Sequence, residues 1–338
     1  MDFEQTTIFD FIEDNETNNK DYEWLLIDRI DKIRAINKQY DLENNAYISF
    51  SGGKDSTILH YLVDLALPNN KIPRVFINTG IEYNDIVDFV KQLSSIDTRF
   101  VILNPFKNIK ETLEEYGYPF KSKQHSHNVS IYQRNKESVD KILNQKIKSY
   151  DDLETGVKSV YKYYHGIRYN SKTNNIYELS NFSCPQILKY QFSKNFTLKL
   201  SEQCCYKLKK EPIAKWEKEN HRTITITGMR KSEGGNRTNL SCIITDNNKK
   251  VVKFHPLSVV DDNWCNTFVI KQNIRLCKLY YYPFNFKRTG CKGCPFSLKL
   301  QEQLDKMEEY LPKEKEQCER IWKPVYEEYR RLRYRLKK

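Results

Sequence analysis

The sequence predicts an α/β protein: a doubly wound, mostly parallel sheet with a helical insertion and a helical C-terminal tail. Three observations predict it. Short apolar runs alternate with amphipathic runs between residues 46 and 120, at the spacing of βαβ units. The first apolar run passes straight into Ser51-Gly52-Gly53-Lys54-Asp55-Ser56, at a strand-to-helix turn where α/β proteins hold anions. The alternation stops over residues 121–200 and returns from Ser201.

Taken in order, "EWLLIDRIDKIRAINKQY" places Leu26, Ile30, Ile33 and Ile36 at helical spacing and reads as a helix feeding the core. "AYISF" reads as a buried strand and Thr57–Leu65 as the helix behind it. "RVFINTG" is a second strand followed by the helix "NDIVDFVKQLS"; "RFVILNP" is a third, backed by "NIKETLEEYG". Residues 121–200 are polar and tyrosine-rich and read as a mostly helical insertion, with "YNSKTNNIY" as a turn or loop. "TITITG" is a further strand ending at Gly228, and "WCNTFVIKQNI" a helix. Beyond Cys294 the chain reads as helical, broken only at Pro324. The expected segments are therefore an N-terminal helical segment 1–45, a nucleotide-binding α/β half 46–120, the insertion 121–200, a second half 201–296 and C-terminal helices 297–338.

The 338 residues carry a net charge of +12, unevenly spread: residues 1–45 hold −7 and the remainder +19. A basic body of this kind suits polyanionic partners, or simply solubility. No apolar run approaches the roughly 20 residues of a membrane span. The acidic "MDFEQTTIFDFIEDNET" lacks the pattern of a signal peptide, so a cytoplasmic location with no membrane partner is expected. Nine cysteines in such a chain argue against a disulfide framework.

The Ser51–Ser56 loop has a direct physical use. Gly52 and Gly53 let the backbone approach an anion, and the N–H groups of the helix start hold its oxygens. Lys54 adds a cation and Ser51 and Ser56 add hydroxyls, while Asp55 suits a magnesium ligand or a helix cap. The spacing is not that of Walker A. It resembles the S-G-G-x-D-S pyrophosphate loop of the adenine-nucleotide α-hydrolase superfamily, the N-type ATP pyrophosphatases and phosphoadenylylsulfate (PAPS) reductases. "FINTGIEYND" is similar to that family's F-x-x-T-G-x-E-x-x-E/D segment. The resemblance implies a role for Thr79, Gly80 and Glu82 beside adenine and ribose; Glu82 as a helix cap is the plainer reading. "TITITGMRKSEGGNRT" resembles the family's T-G-x-R-x-x-E-x-x-x-R. It implies that Gly228, Arg230, Glu233 and Arg237 face a phosphate or sulfate, with a surface ion-pair network as the alternative.

A vicinal pair, Cys204 and Cys205 in "SEQCCYKLKKEP", is separated by 85 intervening residues from Cys291, which with Cys294 lies in "KRTGCKGCPF". Four thiolates bind either an iron–sulfur cluster or zinc. The set resembles the [4Fe–4S] ligands of assimilatory adenylylsulfate reductases, which favours the cluster over zinc. Lys207, Lys209, Lys210 and Lys292 would then crowd the cluster. Cys184 carries no signal, Cys242 reads as a small buried residue, and Cys318 shares a helical face with Ile321, Trp322 and Val325 and reads as packing.

The resemblance, which extends to "YGYPFKSKQHSHNVSIYQR", implies a PAPS-reductase-like iron–sulfur enzyme that binds ATP or an adenylylsulfate-type nucleotide. In one mechanism ATP and magnesium adenylate an acceptor, tRNA or DNA being the class a basic body favours. Sulfur, delivered through the cluster or by a donor protein, then displaces AMP. Lys54, Asp55, Arg230 and Arg237 would carry that chemistry. In the other, a thiol reductant supports sulfonucleotide reduction, but the family's E-C-G-I-H nucleophile motif is missing from "YRRLRYRLKK". A non-catalytic nucleotide sensor with a structural cluster is the third reading. Acceptor, sulfur donor and oligomeric state are not written in the sequence.

Overall fold

The computed structural model describes residues 16–145, 155–170, 175–178 and 183–337, and the chain divides into two compact units. The first comprises residues up to Pro105 together with Glu211–Gly290. It opens with α1 (Glu16–Tyr40), whose Leu26, Ile33 and Ile36 are buried as the helical spacing predicts, with Ile30 half-buried. There follow β1 (Ala46–Ser49), α2 (Lys54–Ala66), β2 (Arg74–Ile77), α3 (Asn84–Ile96) and β3 (Phe100–Leu103).

The sheet order is β3-β2-β1-β6-β8-β7, with β6 (Ile224–Ile226), β7 (Ile243–Thr245) and β8 (Val251–Phe254) completing it. Every pairing is parallel except the β7–β8 hairpin. β1 pairs with β2 on one side and β6 on the other. It is therefore the strand at which the winding reverses, and the crevice beyond its carboxyl end is where such sheets bind ligands. Ile48, Ile58, Leu62, Val75, Phe76, Ile226 and Phe254 fill the core. Beneath them the fully buried Arg74 lies 2.5 Å from Asp64, which also pairs with Arg99 at 2.8 Å. Those contacts tie the start of β2 to α2 and β3.

The second unit comprises Phe106–Lys210 and Cys291–Lys338. Its helices are α4 (Ile109–Tyr116), α5 (Lys123–Arg134), α6 (Lys136–Leu143) and α7 (Thr155–His165). The insertion is not wholly helical. β4 (Ile167–Asn170) and β5 (Asn175–Glu178) pair antiparallel where the sequence reads as a turn or loop; the turn itself lies outside the described residues. The segment Tyr206–Lys210 is π-helical and runs into α8 (Glu211–Glu219), with α9 (Asp262–Lys271) later in the first unit.

Three helices close the second unit: α10 (Leu300–Tyr310), α11 (Pro312–Ile321) and α12 (Lys323–Leu332). The single break expected at Pro324 is thus joined by one at Pro312. A proline disfavours helical backbone at the residue before it, and Leu311 sits at φ −138°. Residues 294–299 are turns where helix was expected. No helix of the described residues is long and apolar enough to cross a membrane.

Candidate functional site

Strand β1 delivers the chain into the loop, and the loop braces itself before any ligand is considered. Gly52 stands at φ +71°, and a Cβ there would meet Ile86 Cγ2 at 2.8 Å, so only glycine fits. The hydroxyls of Ser51 and Ser56 are 3.0 Å apart, and Ser56 Oγ donates to Gly53 O at 2.9 Å. Ser56 is thus spent on the shape of the loop. Gly53 caps α2 in extended conformation, placing the N–H groups and positive dipole of that helix at the loop.

Charged side chains converge on it from β6, α9 and the strand-following loops. Lys54 Nζ donates to Asn266 Oδ1 at 3.3 Å and lies 3.7 Å from Asp262 Oδ1. Arg230 donates to Asp262 at 2.7 Å and to Ser232 at 3.1 Å, and its Nε lies 3.1 Å from Asp55 Oδ1. That last approach lacks hydrogen-bond alignment, so Asp55 Oδ1 is a buried oxygen without an aligned donor. Burial raises the Asp55 carboxyl above its ordinary range and Glu233 adds to it, against Arg230, Lys54 and Arg288. Burial works against the Arg230 charge, yet Cys265, Asp55 and Asp262 hold that charge above its usual stability. Gly228 lets β6 approach: a Cβ there would sit 2.7 Å from Asp55 O.

The remaining expected residues are placed as follows. Glu82 accepts from the Thr79 N–H at 2.8 Å and from its hydroxyl at 2.9 Å, closing its own turn over Gly80, which stands at φ +80°. Glu233 pairs with both Arg237 and Arg288, so these groups form one network. Asp262, Asn266 and Arg288 are the members that sequence reasoning missed. Asp262 follows the N-cap Asp261, whose side chain accepts from Trp264 N at 2.8 Å, and reads in sequence only as acid in a first helical turn.

The second unit gathers four cysteines. Cys204 is buried; Cys205, Cys291 and Cys294 are half-buried. A hydrogen bond from the Cys204 thiol holds Cys205 down to about 6, helped by Lys123, Lys209 and Lys210 and opposed by burial. The same bond pushes Cys204 up, as do burial and the other three thiols. Burial pushes Cys294 up to about 12. The four thiols therefore share one electrostatic neighbourhood. Among the described residues no three His, Cys, Asp or Glu side chains already stand in a metal-holding arrangement, so joint ligation asks these thiols to turn.

The backbone around the thiols is held firmly. Gly293 stands at φ +58° and packs against Cys318 and Tyr326. Helix α12 and the residues flanking it donate to three carbonyls of the Cys291–Pro295 loop. Trp322 Nε1 reaches Lys292 O at 3.3 Å, Tyr326 Oη reaches Gly293 O at 2.5 Å and Tyr329 Oη reaches Pro295 O at 2.9 Å. Tyr329 Oη also accepts from Lys121 N at 2.6 Å. Three residues before Lys121, Tyr118 pairs with the strand-like run before Cys204, accepting from Ser201 N at 2.8 Å. The "YGYPFK" stretch thus ties both cysteine segments together. Lys292 turns to the buried Glu314 at 3.4 Å. Cys318 is a packing residue, as expected, and burial pushes its thiol up to about 12.

A model of the phosphoadenosine phosphosulfate reductase domain matches residues 45–155 and 152–297. An uncharacterized protein of Methanocaldococcus jannaschii is 37% identical over 120 residues, 33% of this chain and 28% of that relative, so the match spans little more than a quarter of its length. Among solved structures, the PAPS reductase of Candida auris in its phosphate complex shares 14% identity over 73% of this chain and 81% of its own, at a TM-score of 0.40. The FMN adenylyltransferase of Candida glabrata shares 14% over 86% and 65%, at 0.41. The U34-tRNA thiolase NcsA of Methanococcus maripaludis, solved with its [4Fe–4S] cluster, shares 13% over 90% and 79%, at 0.36. The family model covers both halves of the chain, from the strand before the Ser51–Ser56 loop to the second cysteine pair, and the chain belongs to the phosphoadenosine phosphosulfate reductase domain family.

Proposed function

We propose that the chain is an ATP-dependent adenylating enzyme that prepares an acceptor for sulfur transfer. The observation that carries the reading is the convergence of Lys54, Arg230 and the N-terminus of α2 on the glycine loop, at the strand where the sheet reverses. That is a cradle for several phosphates. In the reaction an acceptor oxygen attacks the α-phosphorus, the bond to the bridging oxygen of the β-phosphate breaks, and pyrophosphate leaves with the electron pair. A sulfur nucleophile then attacks the acceptor carbon and AMP departs.

Lys54 and Arg230 meet the charge that develops on the leaving pyrophosphate. Gly52, Gly53 and Ser51 present backbone and hydroxyl donors, and Ser56 keeps the loop in shape. Thr79, Gly80 and Glu82 form a rigid turn beside β2 for the nucleoside. Glu233 fixes Arg237 and Arg288 at the rim. Asp55 Oδ1 is the oxygen that fits magnesium, which when bound supplies charge neutralisation to the phosphates.

Cys204, Cys205, Cys291 and Cys294 are the thiols that would hold a [4Fe–4S] cluster once turned toward one another, and the cluster when bound would supply soft iron sites for sulfur or electrons. Lys123, Lys209 and Lys210 lower the cost of thiolate charge there. The buried Cys318 does not serve sulfonucleotide reduction as a mobile nucleophile.

The test uses anaerobically purified protein. Pyrophosphate release from ATP is measured with and without bulk tRNA or DNA, beside sulfite release from adenylylsulfate and its 3′-phospho form with a thiol reductant. Pyrophosphate that rises with nucleic acid and vanishes in Lys54→Ala is the expected result; sulfite without pyrophosphate refutes the proposal.

A further inference from the structure

In the second unit, a cleft of about 640 Å³ is floored by Phe196–Gln203 and walled by the end of α4, by α5 and by the start of α6. We infer that this cleft binds a single polynucleotide strand and leads it toward the Cys204–Cys205 pair. The inference rests on the proposed adenylation for its purpose, not for its test.

Three features carry it. The first is charge. Arg134, Lys136 and Lys199 line the cleft, and none of them has a carboxylate partner among the described residues. Of its two lining acids, Glu115 pairs with Lys107, while Glu202 makes a hydrogen bond to His127 at 2.9 Å. Three lining cations thus outnumber the lining carboxylates left without a lysine or arginine among the described residues, which gives the cleft an excess of positive charge, and Lys207, Lys209 and Lys210 follow in the turn after the cysteines.

The second is shape. The floor is fixed from beneath: Gln133 donates to Leu198 O at 2.8 Å and accepts from Leu200 N at 3.1 Å, and Tyr118 pairs with Leu200. A fixed, open floor with cations on its rim suits an extended polyanion better than a small enclosed anion. Tyr116 on the wall adds an aromatic ring of the kind that bases stack upon, one face of it covered by Lys207 Nζ at 4.9 Å. The third is direction. The floor ends at Gln203, so the next residue is Cys204, and a strand held along the floor arrives at the thiols by covalent geometry alone.

The chemistry is shared by RNA and DNA, and the experiment separates them. The full chain, purified anaerobically and without ATP, is titrated with fluorescein-labelled single-stranded RNA and DNA of one sequence at stepped salt. The comparison is R134E/K136E/K199E, with K71E/K91E on exposed positions of the other unit as the charge control. Circular dichroism and thermal melting establish that each variant folds. The wild type is expected to bind in a salt-dependent manner, and tighter binding of one oligonucleotide names the source. Loss of three phosphate contacts removes roughly 2 from the slope of log K against log salt, or about 100-fold in affinity near 0.1 M salt. Absence of binding at low salt overturns the inference, as does equal loss in both variants or no loss in the folded triple variant. Because no ATP is present, failure of the adenylation reading leaves this result standing.

Discussion

Asp262 stands where an anion is expected, and replacing it separates two roles that look alike in the structure. Its carboxylate lies 2.7 Å from Arg230 Nη2 and 3.7 Å from Lys54 Nζ, the two cations proposed to hold phosphate. On the proposed reading it is a placeholder that an incoming nucleotide displaces. The Asp262 side chain is 73% exposed, so solvent screening discounts both contacts to the range of surface ion pairs, together about 1 kcal/mol. Asp262→Asn keeps the shape and removes the competing charge. ATP binding, measured by calorimetry first without divalent cation and then with magnesium, is expected to tighten about five-fold in both conditions, since 1.4 kcal/mol is a factor of ten. Weaker binding in the variant, above all only with magnesium, would make Asp262 part of the liganded site and refute the placeholder argument. Unchanged binding would refute it equally.

Tyr329→Phe removes the acceptor of the half-buried Lys121 N–H and one donor to Pro295 O; a loss of about 1 kcal/mol in urea denaturation is expected. In the same variant the metal-free Cys291 and Cys294 should alkylate faster, and unchanged stability and alkylation would show that the strap holds nothing. His60, His125 and His255 are buried, and burial lowers each to about 4 from an ordinary 6.5. All three are neutral in the fold and take protons on unfolding, so their contribution is complete above about pH 6.5 and is lost as pH falls toward 4. Each adds up to about 1.4 kcal/mol per pH unit inside that window. Potentiometric proton uptake on unfolding near pH 5 checks this, and stability that rises below pH 6 would contradict it.

Much of the sheet was legible because its signals are local. β1, β2 and β3 are short apolar runs between turn residues, and the Ser51–Ser56 loop announces itself through two adjacent glycines beside a lysine. The β7–β8 hairpin was not seen, because "SCIITDNNKKVVKF" mixes a half-exposed strand with a lysine-rich turn whose Lys249 takes φ +58°. The β4–β5 hairpin was missed for a related reason: asparagines at its ends carry turn signals into the strands. The spacing of the cysteine pairs was visible, but what holds them was not. Tyr329 reaches Lys121 and Pro295 across separations of 208 and 34 residues, and no periodicity reports such a bond. The partner of Lys292 was also invisible: it pairs with Glu314, because a buried ammonium needs a buried carboxylate. Asp262 escaped notice because its meaning lies in what α9 brings it against.

The central claim is that the glycine loop activates ATP at its α-phosphorus for an acceptor. Isotopic exchange tests it most directly: labelled pyrophosphate is supplied with ATP, magnesium and nucleic acid under anaerobic conditions, and label returning to ATP is counted. Reversible adenylation predicts exchange that depends on the nucleic acid and is lost in Lys54→Ala. No exchange under any acceptor, with sulfite released from adenylylsulfate or its 3′-phospho form by the same preparation, would contradict the account.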